Sequence, residues 1–121
     1  VSIVPPSDVQ CAWAAGIIEG EGCFIFSKDK RSNYHTTAVQ VEMTDEDIIK
    51  RLQNLFGGTI VSSDYPSKLL KNPNGKPSWR WKVMRQIDVF NCLLRIMPYL
   101  GERRLQRASE VFAYLEPKVI K

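Results

Sequence analysis

The stretch AAGIIEGEGCFIFSKD, residues 14–29, constrains the chain more than any other. It ends a helix and starts a strand with no room for a loop between them. Upstream, Ser7 reads as an N-cap, and Gln10 three residues later completes a capping box. Val9, Ala12, Trp13, Gly16 and Ile17 recur at helical spacing, which predicts a helix over about 8–19. Gly20 and Gly22 close it. Alternation follows at once, with Phe24 and Phe26 on one face and Cys23, Ile25 and Ser27 on the other. Glu19 and Glu21 thus stand two apart at the end of an apolar, small-residue helix. The question is what two carboxylates do beside a tight packing surface.

The rest of the chain supplies the same two kinds of element. KRSNY is a polar turn, and HTTAVQVEM is a second strand. Thr37, Val39, Val41 and Met43 share one of its faces; Thr36, Ala38, Gln40 and Glu42 share the other. Thr44 reads as the cap of a second helix, with Asp45, Glu46 and Asp47 in the first turn, where the helix dipole favours acids. Ile48, Ile49, Leu52, Leu55 and Phe56 form its apolar stripe, and Gly57 and Gly58 end it. TIVSS is a third strand, residues 64–77 a Pro/Gly/Asn/Lys-rich loop, and WRWKVM a fourth strand. In that strand Trp79, Trp81 and Val83 oppose Arg80, Lys82 and Met84. A helix from Gln86 to Met97 is broken by Pro98, and a last helix over about 101–115 offers Leu105, Ala108, Phe112 and Leu115 to a core. The order αββαββαα, with short connections within each strand pair, predicts an α+β fold. Its single four-stranded antiparallel sheet carries helices on one face. A length of 121 residues predicts one domain spanning 1–121.

Charge points to a partner for the other face. The net charge is +4, and Tyr65 to Ile87 holds six basic residues (Lys68, Lys71, Lys76, Arg80, Lys82, Arg85) and no acid. A one-signed basic segment suits a polyanion such as nucleic acid. The open sheet face is expected to carry Ser27, Gln40, Ser62, Arg80 and Lys82, hydrogen-bonding and cationic groups suited to a DNA major groove. With 44% apolar and 25% charged residues the chain reads as globular. No apolar run approaches bilayer length, and the first residues lack the pattern of a signal peptide. Cys11, Cys23 and Cys92 have no metal-binding spacing and are expected to be reduced and half-buried, in an intracellular protein.

AAGIIEGEG resembles the LAGLIDADG motif of homing endonucleases. Ala15-Gly16 matches its Ala-Gly and Ile17-Ile18 its Leu-Ile; Glu19 and Glu21 take its two acidic positions, and Gly22 its last glycine. VQVEMTDEDIIKRLQNLFGGTI, WRWKV and IMPYLGERRLQRA resemble later blocks of the family, in family order. The resemblance implies a saddle-shaped sheet that reads double-stranded DNA, and a second copy paired through the motif helix. Ala12, Ala15 and Gly16 would form the small face that lets two helices approach. It implies Mg²⁺ or another divalent cation held by Glu21 and the Gly20 carbonyl, with Glu19 structural. Arg103 aligns best with the family's catalytic-pocket lysine, with Arg104 as the neighbouring choice. It further implies DNA contacts from Ile25, Ser27, Arg31, Thr36, Ala38, Gln40, Ser62, Arg80 and Lys82, and a role in intron or intein mobility. No small-molecule cofactor and no membrane partner are expected. Met43 falls near a position that some relatives fill with a polar group.

Other readings compete. A catalytically silent relative, an intron maturase or a DNA-binding regulator, would use the same fold. An unrelated RNA-binding sheet would need exposed aromatics on its central strands, whereas Phe24 and Phe26 fall on the expected core face. Trp79 and Trp81 also read as core. His35 reads as a strand-edge polar residue rather than a base.

Overall fold

The computed structural model describes residues 5–62 and 77–120. Helix α1 (Asp8–Glu21) starts at the expected capping box: the Gln10 N–H donates to Ser7 Oγ, and the Ser7 N–H donates to Gln10 Oε1. It runs two residues further than its pattern predicts and passes directly into β1 (Gly22–Lys28). A turn leads to β2 (His35–Met43), then α2 (Glu46–Phe56), β3 (Thr59–Ser62) and β4 (Trp79–Val83). Helix α3 (Gln86–Ile96), a 3₁₀ turn (Met97–Tyr99) and α4 (Glu102–Val119) complete the described chain. Among the described residues this is an α+β fold with one four-stranded antiparallel sheet in the order β1-β2-β4-β3. The expected loop over 64–77 lies almost wholly outside the described residues, as do Lys68, Lys71 and Lys76.

The helices bury one face of the sheet. Phe24, Val39, Val41, Trp81 and Val83 meet Ala14, Ala15, Ile18, Ile49, Leu52, Val89, Leu93, Ile96, Ala108, Val111 and Leu115 in one apolar core. Gly57 and Gly58 end α2 at φ of 77° and 95°, left-handed backbone that glycine adopts without a Cβ clash. That turn aims the Gly57 carbonyl at Trp81, whose buried indole Nε1–H donates to it at 2.7 Å.

Several local expectations are corrected. Helix α1 turns Cys11, Ala14, Ala15 and Ile18 inward, while Val9 is 79% exposed and Ala12 and Gly16 are also exposed. Both faces are apolar, so spacing alone does not choose between them. Ala15 thereby leaves the small exposed face and joins the core. The N-cap position of helix α2 falls at Asp45 rather than Thr44, with no side-chain capping hydrogen bond, and α4 continues to Val119 with Pro117 inside it. In α4 the fully buried residues are Ala108, Val111 and Leu115, with Leu105 and Phe112 half-buried. Cys11 and Cys92 are buried and Cys23 is exposed, so the thiols are not uniformly half-buried. Burial pushes the Cys92 thiol far above its ordinary value.

Candidate functional site

The junction of α1 with β1 separates the two glutamates. Glu19 points back into the protein. Its Oε1 accepts the Gly101 N–H at 2.7 Å, and Oε2 lies 3.8 Å from Arg104 Nε. Gly101 is the N-cap of α4, and the carboxylate from α1 accepts its backbone N–H at the positive end of that helix. Glu19 thus makes its contacts within the protein, with α4. Glu21, the last residue of α1, is exposed and makes no hydrogen bond or ion pair among the described residues. Helix α1 has no basic residue in its last turn, so its negative dipole end and the Glu21 charge add at one place. Gly20, exposed beside it, contributes a carbonyl oxygen.

Gly22 locks this corner. A Cβ there would lie 2.7 Å from the Ile18 carbonyl oxygen and 2.8 Å from Ile18 Cα. Arg104 Nη1 donates to the Gly22 carbonyl at 2.7 Å, and the Arg104 side chain is only 22% exposed. Arg103 is exposed. The structure thus brings Arg104, rather than Arg103, against the motif. Met43 is half-buried and packs against the core. Among the described residues no group of three or more His, Cys, Asp or Glu side chains gathers to hold a metal ion. A hard divalent cation takes one or two carboxylates together with carbonyl, water or phosphate oxygens. Glu21 and the Gly20 carbonyl are donors of that class.

The open face of the sheet presents rows of side chains fixed by the register. Cys23, Gln40, Lys82 and Thr59 form one row; Glu42, Arg80 and Val61 form the next. Glu42 holds Arg80: its Oε1 lies 3.3 Å from Nε and 3.2 Å from Nη2. Ser27, Thr36, Arg31, Gln40 and Lys82 are all at least partly exposed, and Ile25 is half-buried. Two expected contacts change. Ala38 is fully buried, a methyl hidden among longer neighbours with Ile25 directly opposite, so it offers DNA no surface. Ser62 pairs with Trp79 and thus lies on the helix side of the sheet, in phase with Ile60. Thr59 and Val61 take its place on the open face. The sequence reading missed them because TIVSS has no clean alternation. Glu42 was on the correct face but unassigned; a carboxylate opposite a basic strand was the available signal. His35 lies between Phe26 and Tyr114, with ring centroids at 4.5 and 4.7 Å, and its backbone N–H donates to Tyr114 Oη. It is a packing residue at the root of the β1–β2 hairpin.

This helix-into-strand corner, with its sheet and its helix order, is the fold of the LAGLIDADG homing endonucleases. The crystal structure of the homing endonuclease I-CvuI in complex with its target matches with a TM-score of 0.70 at 19% identity, covering 90% of this chain and 67% of that one. I-TnaI matches at 0.63 with 13% identity, covering 93% and 73%. The group I intron-encoded homing endonuclease I-CeuI, complexed with DNA, matches at 0.62 with 14% identity, covering 95% and 57%. In sequence, the chain is similar to a probable intron-encoded endonuclease aI2 of Debaryomyces hansenii, 27% identical over 109 residues. It is also similar to the intron-encoded RNA maturase bI4 of Saccharomyces cerevisiae, 38% identical over 48 residues. These alignments take in 89% and 40% of this chain but only 15% and 7% of the respective relatives. No family model matches the chain.

Proposed function

We propose that the chain is one half of a site-specific, metal-dependent double-strand DNA endonuclease that pairs with a second copy through α1, residues 1–121 acting as one domain. One observation carries the reading: α1 has a second apolar face that its own fold leaves uncovered, and the helix that bears it ends at Glu21. Val9, Ala12 and Gly16 lie exposed on it, and a Cβ at Gly16 or Gly20 would meet nothing within 4 Å. The chain's own packing gives no reason for glycine at either position. Close approach of a second helix gives one. A two-fold pair through this face brings the two motif ends together and joins two sheets into one DNA-reading surface.

In that arrangement each Glu21 carboxylate and Gly20 carbonyl would hold a divalent cation such as Mg²⁺. The cation would supply Lewis-acid stabilisation of the phosphate and a water of lowered pKa. Arg103, exposed on the first turn of α4, meets the developing phosphate charge; as a guanidinium it does not act as a base near neutral pH. Arg80, Lys82, Gln40, Ser27, Thr36, Ile25 and Arg31 supply phosphate and base-edge contacts from the open face and its hairpin turn. The fold's solved neighbours bound to DNA support this assignment, and intron or intein mobility is the biological setting proposed.

The similarity to an RNA maturase favours a second reading, a relative that binds nucleic acid without cutting it. Glu21→Gln separates the two. In Mg²⁺ the parent should cleave its target, recovered from a randomised library, and the variant should lose cleavage by orders of magnitude. In Ca²⁺ both should bind that DNA. Undiminished cleavage by Glu21→Gln would remove the metal-ligand assignment. Binding without cleavage by the parent in any divalent metal would favour the silent reading.

A further inference from the structure

The motif corner is fastened by Arg104, the neighbouring choice that the family resemblance offers beside Arg103 for the catalytic pocket. Arg104 makes its contacts inside the protein. Nη1 holds the Gly22 carbonyl at 2.7 Å, and Nε is buried, 3.8 Å from Glu19 Oε2 and without a hydrogen bond. Glu19 in turn holds the Gly101 N–H at 2.7 Å. Gly22 is pinned from its other side, because its N–H bonds to the Ile18 carbonyl and no Cβ fits beside Ile18. Glu21 is the residue between these fixed points.

We propose that Arg104 is a positioning residue: with Glu19 it ties the end of α1 to the start of α4 and so sets where Glu21 is presented, leaving the phosphate to Arg103. An Arg104 that reached for phosphate would release the Gly22 carbonyl and separate from Glu19. Residues that orient a metal ligand act through that ligand, and their loss weakens metal binding by about 10–100-fold rather than abolishing the chemistry. The cleavage arm of the test rests on the nuclease reading above; the amide-exchange arm does not.

The experiment compares Arg104→Gln and Arg104→Lys with Arg103→Gln. In metal-free protein, hydrogen exchange is followed at the Gly22 and Gly101 amides. Arg104→Gln should speed exchange at both by about tenfold or more, as a corner held by few contacts opens locally. Arg104→Lys should recover part of the protection, and Arg103→Gln should leave both amides as in the parent. In the cleavage arm, Arg104→Gln should raise the Mg²⁺ needed for half-maximal rate by about 10–100-fold, with a saturating rate close to the parent's. Arg103→Gln should lower the saturating rate with an unchanged Mg²⁺ requirement. Unchanged amide protection in Arg104→Gln would overturn the proposal. So would a lost saturating rate at an unchanged Mg²⁺ requirement, the behaviour of a group that touches phosphate. If the parent cleaves nothing, the nuclease reading fails and amide exchange still decides Arg104. If Arg104→Gln does not fold, Arg104→Lys, which keeps the charge but not the planar fork, shows the same effects at smaller amplitude.

Discussion

Replacing Glu19 with alanine should cost stability, while replacing Glu21 should not. Glu19 makes a charge-assisted hydrogen bond to the first free N–H of α4 and is the counter-charge to Arg104. Hydrogen bonds to charged groups contribute about 1.5–3 kcal/mol. The Glu19 side chain is 40% exposed, so solvent screening brings the expected loss down to about 1–2 kcal/mol. For a chain of this length that lowers Tm by about 4–8 °C. Glu19→Gln keeps an acceptor for the Gly101 N–H but loses the charge, and should fall between parent and alanine. Glu21 has no partner among the described residues, so Glu21→Gln and Glu21→Ala should leave Tm within about 1 °C of the parent, as surface changes away from special features do. Thermal unfolding followed by circular dichroism at fixed protein concentration, in chelator, isolates the folded-state effect from metal binding. A larger loss from Glu21→Ala than from Glu19→Ala would refute the division of roles, and with it the account of why two acids end this helix.

Gly16→Leu has open space on its own chain, so it should fold yet fail to pair; light scattering should report half the parent mass, and an unchanged dimer would remove α1 from the interface. Lys82→Ala should weaken DNA binding and reduce its salt dependence by about one counterion per subunit, whereas an unchanged salt slope would move Lys82 off the phosphates. Arg80→Ala should weaken binding further than its own lost contact, because Glu42 then faces the DNA unpaired; adding Glu42→Ala should restore part of the loss in a binding titration. Trp81→Phe leaves the Gly57 carbonyl without its buried donor and should destabilise the fold by about 1–3 kcal/mol in urea unfolding, with the effect absent if that carbonyl finds water.

The sequence by itself determined whatever depends on neighbours along the chain. The capping box at Ser7 and Gln10 started α1, alternation marked β1, β2 and β4, Pro98 ended α3, and the short turn between β1 and β2 made that hairpin antiparallel. The motif residues also marked the position of the site, because a helix that runs into a strand through Gly20 and Gly22 leaves only one place for Glu21. Tertiary structure decided everything that depends on residues far apart. Helix α1 is apolar on both sides, and only packing against the sheet and α3 chose Ala15 for the core and left Gly16 outside. The TIVSS strand has adjacent apolar residues, so its phase was set by pairing with β4, which put Ser62 on the helix side of the sheet and Val61 on the open face. Glu19 and Glu21 are the same residue type in nearly the same local sequence. They differ because Gly101 and Arg104, more than 80 positions away, fold back onto one of them and leave the other without a partner among the described residues.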